Sequence, residues 1–418
     1  MSSLLERYGE TAGRDAVEQL RQLAAPLRGY RIVHVNSTRS GGGVAEILNQ
    51  LVPLLTELGL TVEWHVIEGN PVFFSCTKKF HNCLQGGGEP PTPLELHEYE
   101  RVNEENAERM REVLREADLV VIHDPQPAPL LNFTPDRKGR WIWRCHIDVS
   151  RPVRAVWHYL RRFLRGYDAS IFSLADFARA LPHPQYLIAP AIDPFSPKNC
   201  DLSAEFIANV LSDFGLDPER PLLLQVSRFD RFKDPLGVIQ AFRMVKPFFP
   251  KSQLVLAGGS ADDDPEGAAV LAEVRAAAAS EEGAVHVLEL PPDAHRIINA
   301  LQRAAQIVIQ KSTKEGFGLT VAEALWKAKP VIGGNTGGIR LQVVNYHTGF
   351  LVNTPEGAAM RIRYLLQNPE VMARMGETGR RHVRENFLMS RLAREHLTLM
   401  NFLLYRDSER IDMTQWNS

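Results

Sequence analysis

Short runs rich in β-branched residues and leucine alternate along this chain with longer segments of helical periodicity. In the first half the runs cover residues 31–36, 61–67, 119–123, 141–146, 169–173 and 185–188. The pattern restarts in the second half, with runs at 222–227, 253–257, 285–289, 307–310 and 330–333. Helices are predicted between the runs, for example at 43–58, 236–245 and 266–278. This alternation predicts parallel strands joined by crossover helices, and therefore an α/β fold.

The length of 418 residues is too great for one ordinary domain and suits two of about 200 residues each. A stretch with three prolines at 189–197 separates the halves, because proline continues neither a helix nor a central strand. We predict one Rossmann-like domain over 1–195, a second over 196–390, and a helical C-terminal segment over 391–418. Two doubly wound domains facing a central cleft would bind ligands beyond the carboxyl ends of their strands.

Charge and composition exclude several classes of partner. The chain carries 48 basic and 50 acidic residues, a net charge of -2, so neither nucleic acid nor a membrane surface is an expected partner. No signal peptide and no run of about 18 apolar residues is recognisable. The four cysteines form no metal-binding pattern and are predicted to be reduced thiols, which favours a cytoplasmic location.

A glycine-rich segment, SGGG, runs from Ser40 to Gly43 between the first strand and the first strongly periodic helix. Gly42 and Gly43 let backbone N–H groups approach a ligand closely, and a helix N-terminus favours an anion. The segment is not a GxGxxG motif. A ligand-facing loop and a simple tight turn remain equally good interpretations.

A basic segment, SRFDRFK, follows the strand at 222–227. Its cations Arg228 and Lys233 lie where a parallel strand ends, and together they could clamp a diphosphate. A solvated basic loop is the alternative interpretation.

The most specific motif is EGFGLTVAE, from Glu315 to Glu323. A helix is predicted to begin near Gly318, so that N–H groups of its first turn can meet phosphate oxygens while both carboxylates accept hydroxyl hydrogen bonds. This arrangement suits a sugar nucleotide, which has hydroxyls at both ends and an anion between them. The alternative gives Glu323 an ordinary role on the helix dipole.

Polar residues also follow two first-half strands, in the segments HDPQ at 123–126 and RCHID at 144–148. His146 either contacts a reacting sugar or is a hydrogen-bonded core residue. A further acidic run, residues 262–264, either caps a helix or forms a weak Mg²⁺ site, and the cap is the preferred interpretation.

Together these motifs resemble those of the retaining glycosyltransferases of the GT-B fold, and most closely the trehalose glycosyltransferring synthases. The resemblance covers residues 30 to 390 and rests on the strings HVNSTRSGGGVAEIL, VIEGNPVFFSCTKKFHNCLQG, HDPQPAPLL, WRCHIDVS, QVSRFDRFKD, DDDPEG and KEGFGLTVAEALWK. The spacing of Glu315 and Glu323 matches the hallmark of the group. One departure is RFKD at 231–234, where the wider group has Trp-Lys-Gly; Lys233 is retained.

The resemblance implies a role for each matching position. Glu315 would hold hydroxyls of the donor sugar, Glu323 the ribose, and His146 the donor sugar near its 6-hydroxyl. The full donor site would comprise Gly42, Gly43, Arg228, Lys233, Glu315, Gly316, Phe317, Gly318, Leu319 and Glu323. The residues expected to act on the reacting groups are His146, Arg228, Lys233 and Glu315, and those on the acceptor side are Glu68, Asp124, Gln126 and Asp148. The C-terminal helix would cross back to the first domain.

The implied reaction joins NDP-glucose (UDP-, ADP- or GDP-glucose) to free glucose and forms α,α-trehalose, in a reaction that can be reversible. Retention by double displacement would need a second acid about 5 Å from a carboxylate nucleophile. No acid pair both lies in the expected cleft and is free of a binding role, so same-face substitution is the working hypothesis. A trehalose phosphorylase and a non-catalytic sugar-nucleotide sensor are the alternatives. No obligatory cofactor is expected, Mg²⁺ dependence stays open, and the protein is either a monomer or a homodimer.

Overall fold

The computed structural model describes residues 3–40, 42–259, 265–281 and 283–405. The chain forms two compact units. Unit 1 contains the described residues up to Ala189 and those from Met389 onward, and unit 2 runs from Pro190 to Leu388. The first change of unit therefore falls at the start of the proline-rich stretch.

Unit 1 is built around a parallel six-stranded sheet with the strand order β2-β1-β3-β4-β5-β6. Its elements are, in chain order, α1 (Leu4–Ala12), α2 (Arg14–Ala24), β1 (Arg31–Asn36), α3 (Gly43–Glu57), β2 (Thr61–Val66), α4 (Pro71–Leu84), α5 (Pro93–Arg109), α6 (Arg111–Glu116), β3 (Leu119–His123), β4 (Arg140–Arg144), α7 (Arg154–Leu164), β5 (Ala169–Phe172) and β6 (Gln185–Leu187). The order reverses between β1 and β3, which opens a crevice at the carboxyl ends of these strands.

Burial explains why these segments form strands and helices. Every residue of β3 and β5 is buried, as expected for parallel strands covered on both faces. The predicted helix at 43–58 is observed as α3, which buries Leu48, Leu51 and Leu55 along one face.

Unit 2 repeats the architecture with the strand order β12-β11-β10-β7-β8-β9, again all parallel. Its elements are α8 (Ala204–Asp213), β7 (Leu222–Val226), α9 (Pro235–Val245), β8 (Gln253–Gly258), α10 (Pro265–Ala279), β9 (Val285–Glu289), α11 (His295–Ala304), β10 (Ile307–Gln310), α12 (Leu319–Trp326), β11 (Val331–Gly334), α13 (Ile339–Gln342), β12 (Gly349–Val352), α14 (Pro355–Gln367) and α15 (Pro369–Asn386). The order is that of a Rossmann sheet, and its switch point lies between β7 and β10. The predicted α/β class with two doubly wound, Rossmann-like domains is confirmed.

The sequence pattern does not predict β12. This strand has only four residues and begins at Gly349, where a Cβ atom would lie 2.0 Å from the carbonyl oxygen of Val331. Glycine is required by the close approach of the two backbones, although glycine is depleted in strands and hides the signal. The predicted run at 141–146 also ends earlier, because β4 stops at Arg144 and leaves His146 in the following loop.

After unit 2 the chain returns to unit 1 as α16 (Met389–Leu404), which packs against α2 and α3. The side chain of Asn401 donates to the Leu23 carbonyl at 2.8 Å, and Arg391 donates to the Ala189 carbonyl at 2.8 Å. Near the points where the chain enters and leaves unit 2, Ile192 and Leu388 pair as a parallel β-bridge. The N–H of Ile192 donates to the Phe387 carbonyl at 2.8 Å.

Two further structural findings concern the sequence expectations. All four cysteines are thiols, three of them buried and Cys200 partly exposed. Within the described ranges, no helix is long and apolar enough to cross a bilayer.

Candidate active site

The centre of the unit 2 site is an ion pair between two predicted residues. Lys233 Nζ lies 2.7 Å from Glu315 Oε2, and the two side chains are only 16% and 11% exposed. Lys233 follows β7 and Glu315 follows β10, the two strands that flank the switch point of the sheet. The carboxyl ends of neighbouring parallel strands meet at one edge, so the fold itself brings these distant residues together.

The loop after β7 fixes Lys233 by its backbone. Residues 231–233 form a 3₁₀ turn that Asp230 caps, its carboxylate accepting from the Lys233 N–H at 3.1 Å. The Gln225 side chain, at the end of β7, donates to the Lys233 carbonyl at 2.8 Å. The ammonium group is therefore held by a rigid turn as well as by its carboxylate partner.

The EGFG loop after β10 is braced by a second glycine loop, which follows β11. Gly337 passes so close that a Cβ there would lie 1.6 Å from the Glu315 carbonyl oxygen. The N–H of Gly338 donates to the Gly316 carbonyl at 3.1 Å, and the Gln342 side chain donates to the Phe317 carbonyl at 2.6 Å. These bonds hold the loop against the sheet independently of any ligand.

The α12 helix begins directly after this loop. Gly318 occupies its N-cap with a positive φ of 81°, and Leu319 is the first helical residue, as the sequence predicted to within one position. A Cβ on Gly318 would lie 3.1 Å from Cγ of Glu315, so the start of α12 lies beside the Glu315 side chain. No side chain caps this helix, because glycine has none. A helix N-terminus beside an ammonium group is a favourable place for a phosphate.

Glu323 lies further along α12 and is only 1% exposed. Its carboxylate is 4.0 Å from Lys198 Nζ, and its backbone carbonyl accepts from Lys327 Nζ at 3.0 Å. Burial lowers the pKa of Lys327 to about 7, an effect that the charge of Glu323 opposes. The acid thus lies among cations of unit 2, and its ribose role stays a prediction.

The remaining unit 2 predictions fall at the surface or outside the described chain. Arg228 keeps 66% of its side chain exposed and lies 3.6 Å from the Asp230 carboxylate. Its guanidinium is therefore free to turn toward an anion. The acidic run at 262–264 lies outside the described residues.

In unit 1, the predicted glycine loop leads into α3. Gly42 is the N-cap of this helix and has a φ of 84°, and Gly43 is its first residue. Apart from its chain neighbours, no described residue has an atom within 4 Å of the position that a Cβ on Gly42 would take. The backbone at Gly42 is consequently open to close approach.

His146 and Asp124 lie together at the ends of β4 and β3. The Asp124 carboxylate accepts from the His146 N–H at 2.6 Å, and the Asp124 N–H donates to the Arg144 carbonyl at 2.8 Å. Asp124 holds a φ of 63°, unusual for a residue with a side chain and tolerated by Asp through such local bonds. Burial raises the pKa of Asp124 to about 7, although the His146 N–H and the Arg144 charge oppose this.

Two more histidines extend from His146 into the core: His123, which belongs to the predicted HDPQ segment, and His34, which the sequence analysis did not single out. His146 Nε2 is 3.0 Å from His123 Nδ1, and His123 Nε2 is 3.0 Å from His34 Nδ1. Burial lowers the pKa of all three, in the case of His34 to about 4. The buried Arg144 guanidinium further disfavours the cationic forms of His123 and His146. The three rings are therefore neutral near pH 7.

The other predicted acceptor-side residues have separate partners. Glu68 is 78% exposed in its side chain and pairs with Arg109 at 3.2 Å. The Asp148 carboxylate accepts from the Ser150 N–H at 2.8 Å, which fixes the turn after β4. The Gln126 carbonyl accepts from the Asn103 side chain at 3.1 Å. The structure thus joins Lys233 to Glu315 and His146 to Asp124. Glu68, Gln126 and Asp148 have other partners.

Comparison with known proteins gives the family. Residues 34–179 match a family described as trehalose synthase, N-terminal domain, and residues 209–382 match glycosyl transferases group 1. Over 96% of its length the chain is 44% identical to trehalose synthase of Pyrococcus horikoshii, also covering 96% of that protein. It is 45% identical to trehalose synthase of Rubrobacter xylanophilus, covering 96% of this chain and 97% of that protein.

The chain belongs to the trehalose synthase family. It is therefore a glycosyltransferase, and its reaction is a glycosyl transfer that involves trehalose. A trehalose phosphorylase of Pleurotus pulmonarius is more distant, with 29% identity over 91% of this chain and 58% of that protein.

The GT-B fold of this trehalose synthase family member is shown by its solved neighbours. A structure described as trehalose-6-phosphate from E. coli bound with UDP-2-fluoro glucose matches with a TM-score of 0.72. That match covers 88% of this chain and 98% of the other, at 13% identity. At such low identity the likeness establishes the fold alone.

The structure also explains where this trehalose synthase family sequence departs from the wider group. Asp234 stands where the Trp-Lys-Gly pattern places glycine, and it keeps the left-handed backbone that favours glycine, with φ 52°. Its carboxylate caps α9 through the Gly237 N–H at 3.1 Å and pairs with the buried Lys311. The signal for the cap was available in the sequence, because Asp before Pro235 is a typical helix start. Lys311 gave no such signal, since its partner is 77 residues away.

Within the described ranges, no group of three or more His, Cys, Asp or Glu side chains is arranged to hold a metal ion. Mg²⁺ dependence therefore stays an open expectation.

Proposed function

We propose that this protein is a retaining glucosyltransferase that forms α,α-trehalose from NDP-glucose and free glucose. The observation that carries the proposal is the Lys233–Glu315 pair, 2.7 Å apart beside the N-terminus of α12. A diphosphate needs cations and N–H donors, and a sugar needs a carboxylate acceptor close to them. Both requirements are met by groups that neighbouring strand ends hold in place.

In the proposed reaction the bond between the anomeric carbon and the phosphate oxygen breaks, and a bond to the acceptor hydroxyl forms on the same face. The hydroxyl proton passes to the departing phosphate oxygen, so that no enzyme carboxylate is consumed. Lys233 and Arg228 stabilise the charge on the leaving nucleoside diphosphate, and the α12 N–H groups add to this effect. The Glu315 carboxylate orients the sugar through its hydroxyls.

The unit 1 residues would act on the sugars. Gly42 and Gly43 admit the donor phosphates, and His146 donates a hydrogen bond to the transferred sugar. Asp124, which is fixed by the His146 N–H, would accept from the acceptor sugar together with Glu68, Gln126 and Asp148.

The direct test offers purified protein trehalose together with UDP, ADP, GDP or orthophosphate in separate reactions. Formation of an NDP-glucose supports the proposal and identifies the base. Glucose 1-phosphate formed only with orthophosphate establishes the phosphorylase alternative. No product in any reaction, and no trehalose from NDP-glucose and glucose, removes the proposed function and leaves a binding role.

Retention and the absence of a covalent intermediate need a separate measurement. NMR spectra of the product should show α anomeric signals on both rings. Mass spectrometry of the enzyme mixed with donor alone should show the unmodified mass, and a trapped glycosyl adduct would overturn the same-face mechanism. For variants of Lys233, Lys251→Met is a suitable control, because this exposed lysine precedes β8 and so lies at the amino ends of the strands, away from the site.

A further inference from the structure

The three histidines of unit 1 form a continuous line across three neighbouring strands. His34 lies on β1, His123 ends β3, and His146 follows β4. Both nitrogen contacts are 3.0 Å, and in both pairs the ring centroids are 5.3 Å apart with planes tilted by 30° and 19°. Since the centroid separation exceeds the nitrogen separation by about two ring radii, the imidazoles meet edge to edge. Each contact therefore has hydrogen-bond geometry.

The number of protons on the three neutral rings allows only two arrangements of the hydrogen bonds between them. Each neutral imidazole carries one N–H, and each of the two contacts needs one hydrogen. If His34 donates from Nδ1, His123 accepts on Nε2 and donates from Nδ1, and His146 accepts on Nε2. If the direction is reversed, His146 donates from Nε2 and His34 is protonated on its own Nε2. The tautomers of the three rings are thus linked, and one end determines the other.

The buried end of the line decides between these two directions. His34 is fully buried, and its Nε2 has no hydrogen-bond partner among the described residues. The first direction leaves an unpaired acceptor there, whereas the second leaves an unpaired N–H. Buried N–H groups without a partner are rarer in proteins than acceptors without one. The first direction is favoured, with the proton of His146 on Nδ1.

The surroundings of the line keep all three rings neutral. Arg144 from β4 and His396 from α16 act on His123 and His146, and the Asp124 carboxylate contacts the backbone N–H of His146. His396 is itself buried, and its pKa is lowered well below the usual value by burial and by Arg144, to which Arg391 adds. Among the described residues, no carboxylate pairs with any of the three rings to favour the cation.

We propose that His123, which accepts a hydrogen bond from His34, is a positioning residue that fixes the tautomer of His146, so that His146 donates a hydrogen bond from Nδ1 to a ligand oxygen. The identity of that ligand, a sugar nucleotide, rests on the proposed function, whereas the tautomer does not. His146 is then a donor and not a general base. The line of rings explains how a buried residue that does not contact the ligand can affect sugar binding in unit 1.

The test uses His123 variants, because His123 is the ring that contacts His146. His123→Asn keeps an N–H donor close to the position of Nδ1, whereas His123→Leu has a similar volume and no donor. Nitrogen-15 NMR of histidine side chains in the ligand-free enzyme reports which ring nitrogen is protonated, and the signals of His146 are assigned by comparison with His146→Gln. His183→Leu is the control, since this buried histidine bonds Ser170 on β5 and lies outside the line.

We expect the Nδ1–H tautomer of His146 in the wild type, in His123→Asn and in His183→Leu. In His123→Leu we expect a mixture of tautomers, because no neighbouring ring then fixes the proton of His146, which is only partly buried. The kcat/KM for the sugar nucleotide should fall by about fivefold to tenfold in His123→Leu and stay within about threefold of the wild type in His123→Asn. An Nε2–H tautomer in the wild type, or unchanged His146 signals in His123→Leu, would overturn the inference. If the wild type shows the Nδ1–H tautomer but transfers no glucose, the proposed function fails and the inference stands.

Discussion

The Lys233–Glu315 pair can be separated into a part that stabilises the fold and a part that acts on the substrate. Lys233→Met removes the ammonium group and keeps most of the apolar stem. Glu315→Gln removes the carboxylate charge and keeps its shape. The double variant removes both charges, so neither partner is left alone in a largely buried site. Comparing the three proteins distinguishes a structural ion pair from a catalytic one.

The expected magnitudes follow from distance and burial. At 2.7 Å two unit charges attract by about 6 kcal/mol at an effective dielectric constant of about 20, and the loss of hydration offsets most of this. Breaking a buried pair on one side costs about 3–5 kcal/mol, and the residual exposure of both side chains places Lys233→Met near the lower value. The double variant should unfold within about 1 kcal/mol of the wild type. Turnover should nevertheless fall about 100- to 1000-fold in Lys233→Met and in the double variant.

Denaturant unfolding followed by circular dichroism measures the stabilities, and trehalose formation measures turnover, with Lys251→Met as the matched control. We expect the double variant to be more stable than Lys233→Met, with a stability close to that of the wild type, but to have the same low turnover as Lys233→Met. Recovery of both in the double variant would refute the reasoning, because the ammonium group would then be needed only to balance the carboxylate.

Three other predictions concern backbone and charge. Gly337→Ala should reduce transfer about 100-fold, because the added carbon would lie 1.6 Å from a backbone carbonyl oxygen of the EGFG loop. Gly215→Ala, with a similar positive φ and open space around the added carbon, should cost only about 1 kcal/mol in thermal unfolding, and equal kinetics for the two variants would contradict the close approach. The pKa of Asp124 is raised from 3.8 to about 7, so its contribution to stability is lost as the pH rises through that range. Asp124→Asn should therefore gain unfolding free energy relative to the wild type over this range, and a pH-independent difference would count against a buried carboxyl. Asp234→Gly should lose about 2 kcal/mol, because it removes the α9 cap and leaves Lys311 buried without its carboxylate. Asp234→Asn keeps the cap but also lacks the carboxylate, so a glycine variant as stable as the asparagine variant would show that backbone relief offsets the loss of the cap. A glycine variant as stable as the wild type would show that backbone relief outweighs both interactions.

Much of the fold could be predicted from periodicity, since buried parallel strands are continuous apolar runs. All six strands of unit 1 and five of unit 2 fall within or beside the predicted runs. The exception is β12, where Gly349 serves a backbone contact with β11 and weakens the strand signal. That requirement exists only once the sheet has formed, so a local pattern cannot reveal it.

The candidate site also contains some features that local sequence predicts and others that depend on which strands are neighbours. Glu315, Gly318 and Glu323 lie within nine residues, and their local spacing was enough to predict the start of α12. The pair formed by Lys311 and Asp234 depends on which strands are neighbours, and no local pattern encodes that order. The line of histidines is a similar case, because His34 and His123 are 89 residues apart and meet only through the pairing of β1 with β3.

The return of the chain as α16 has a consequence for the order of events during synthesis. Unit 2 is contained between two segments of unit 1, so all of its residues leave the ribosome before α16 does. Unit 2 can therefore complete its sheet first. Until α16 is made, the surface of α2 that it contacts stays exposed in unit 1. Chains that stop before Met389 should hold a finished C-terminal unit and an unfinished N-terminal one, which makes the earlier-made half the more exposed to proteases and chaperones.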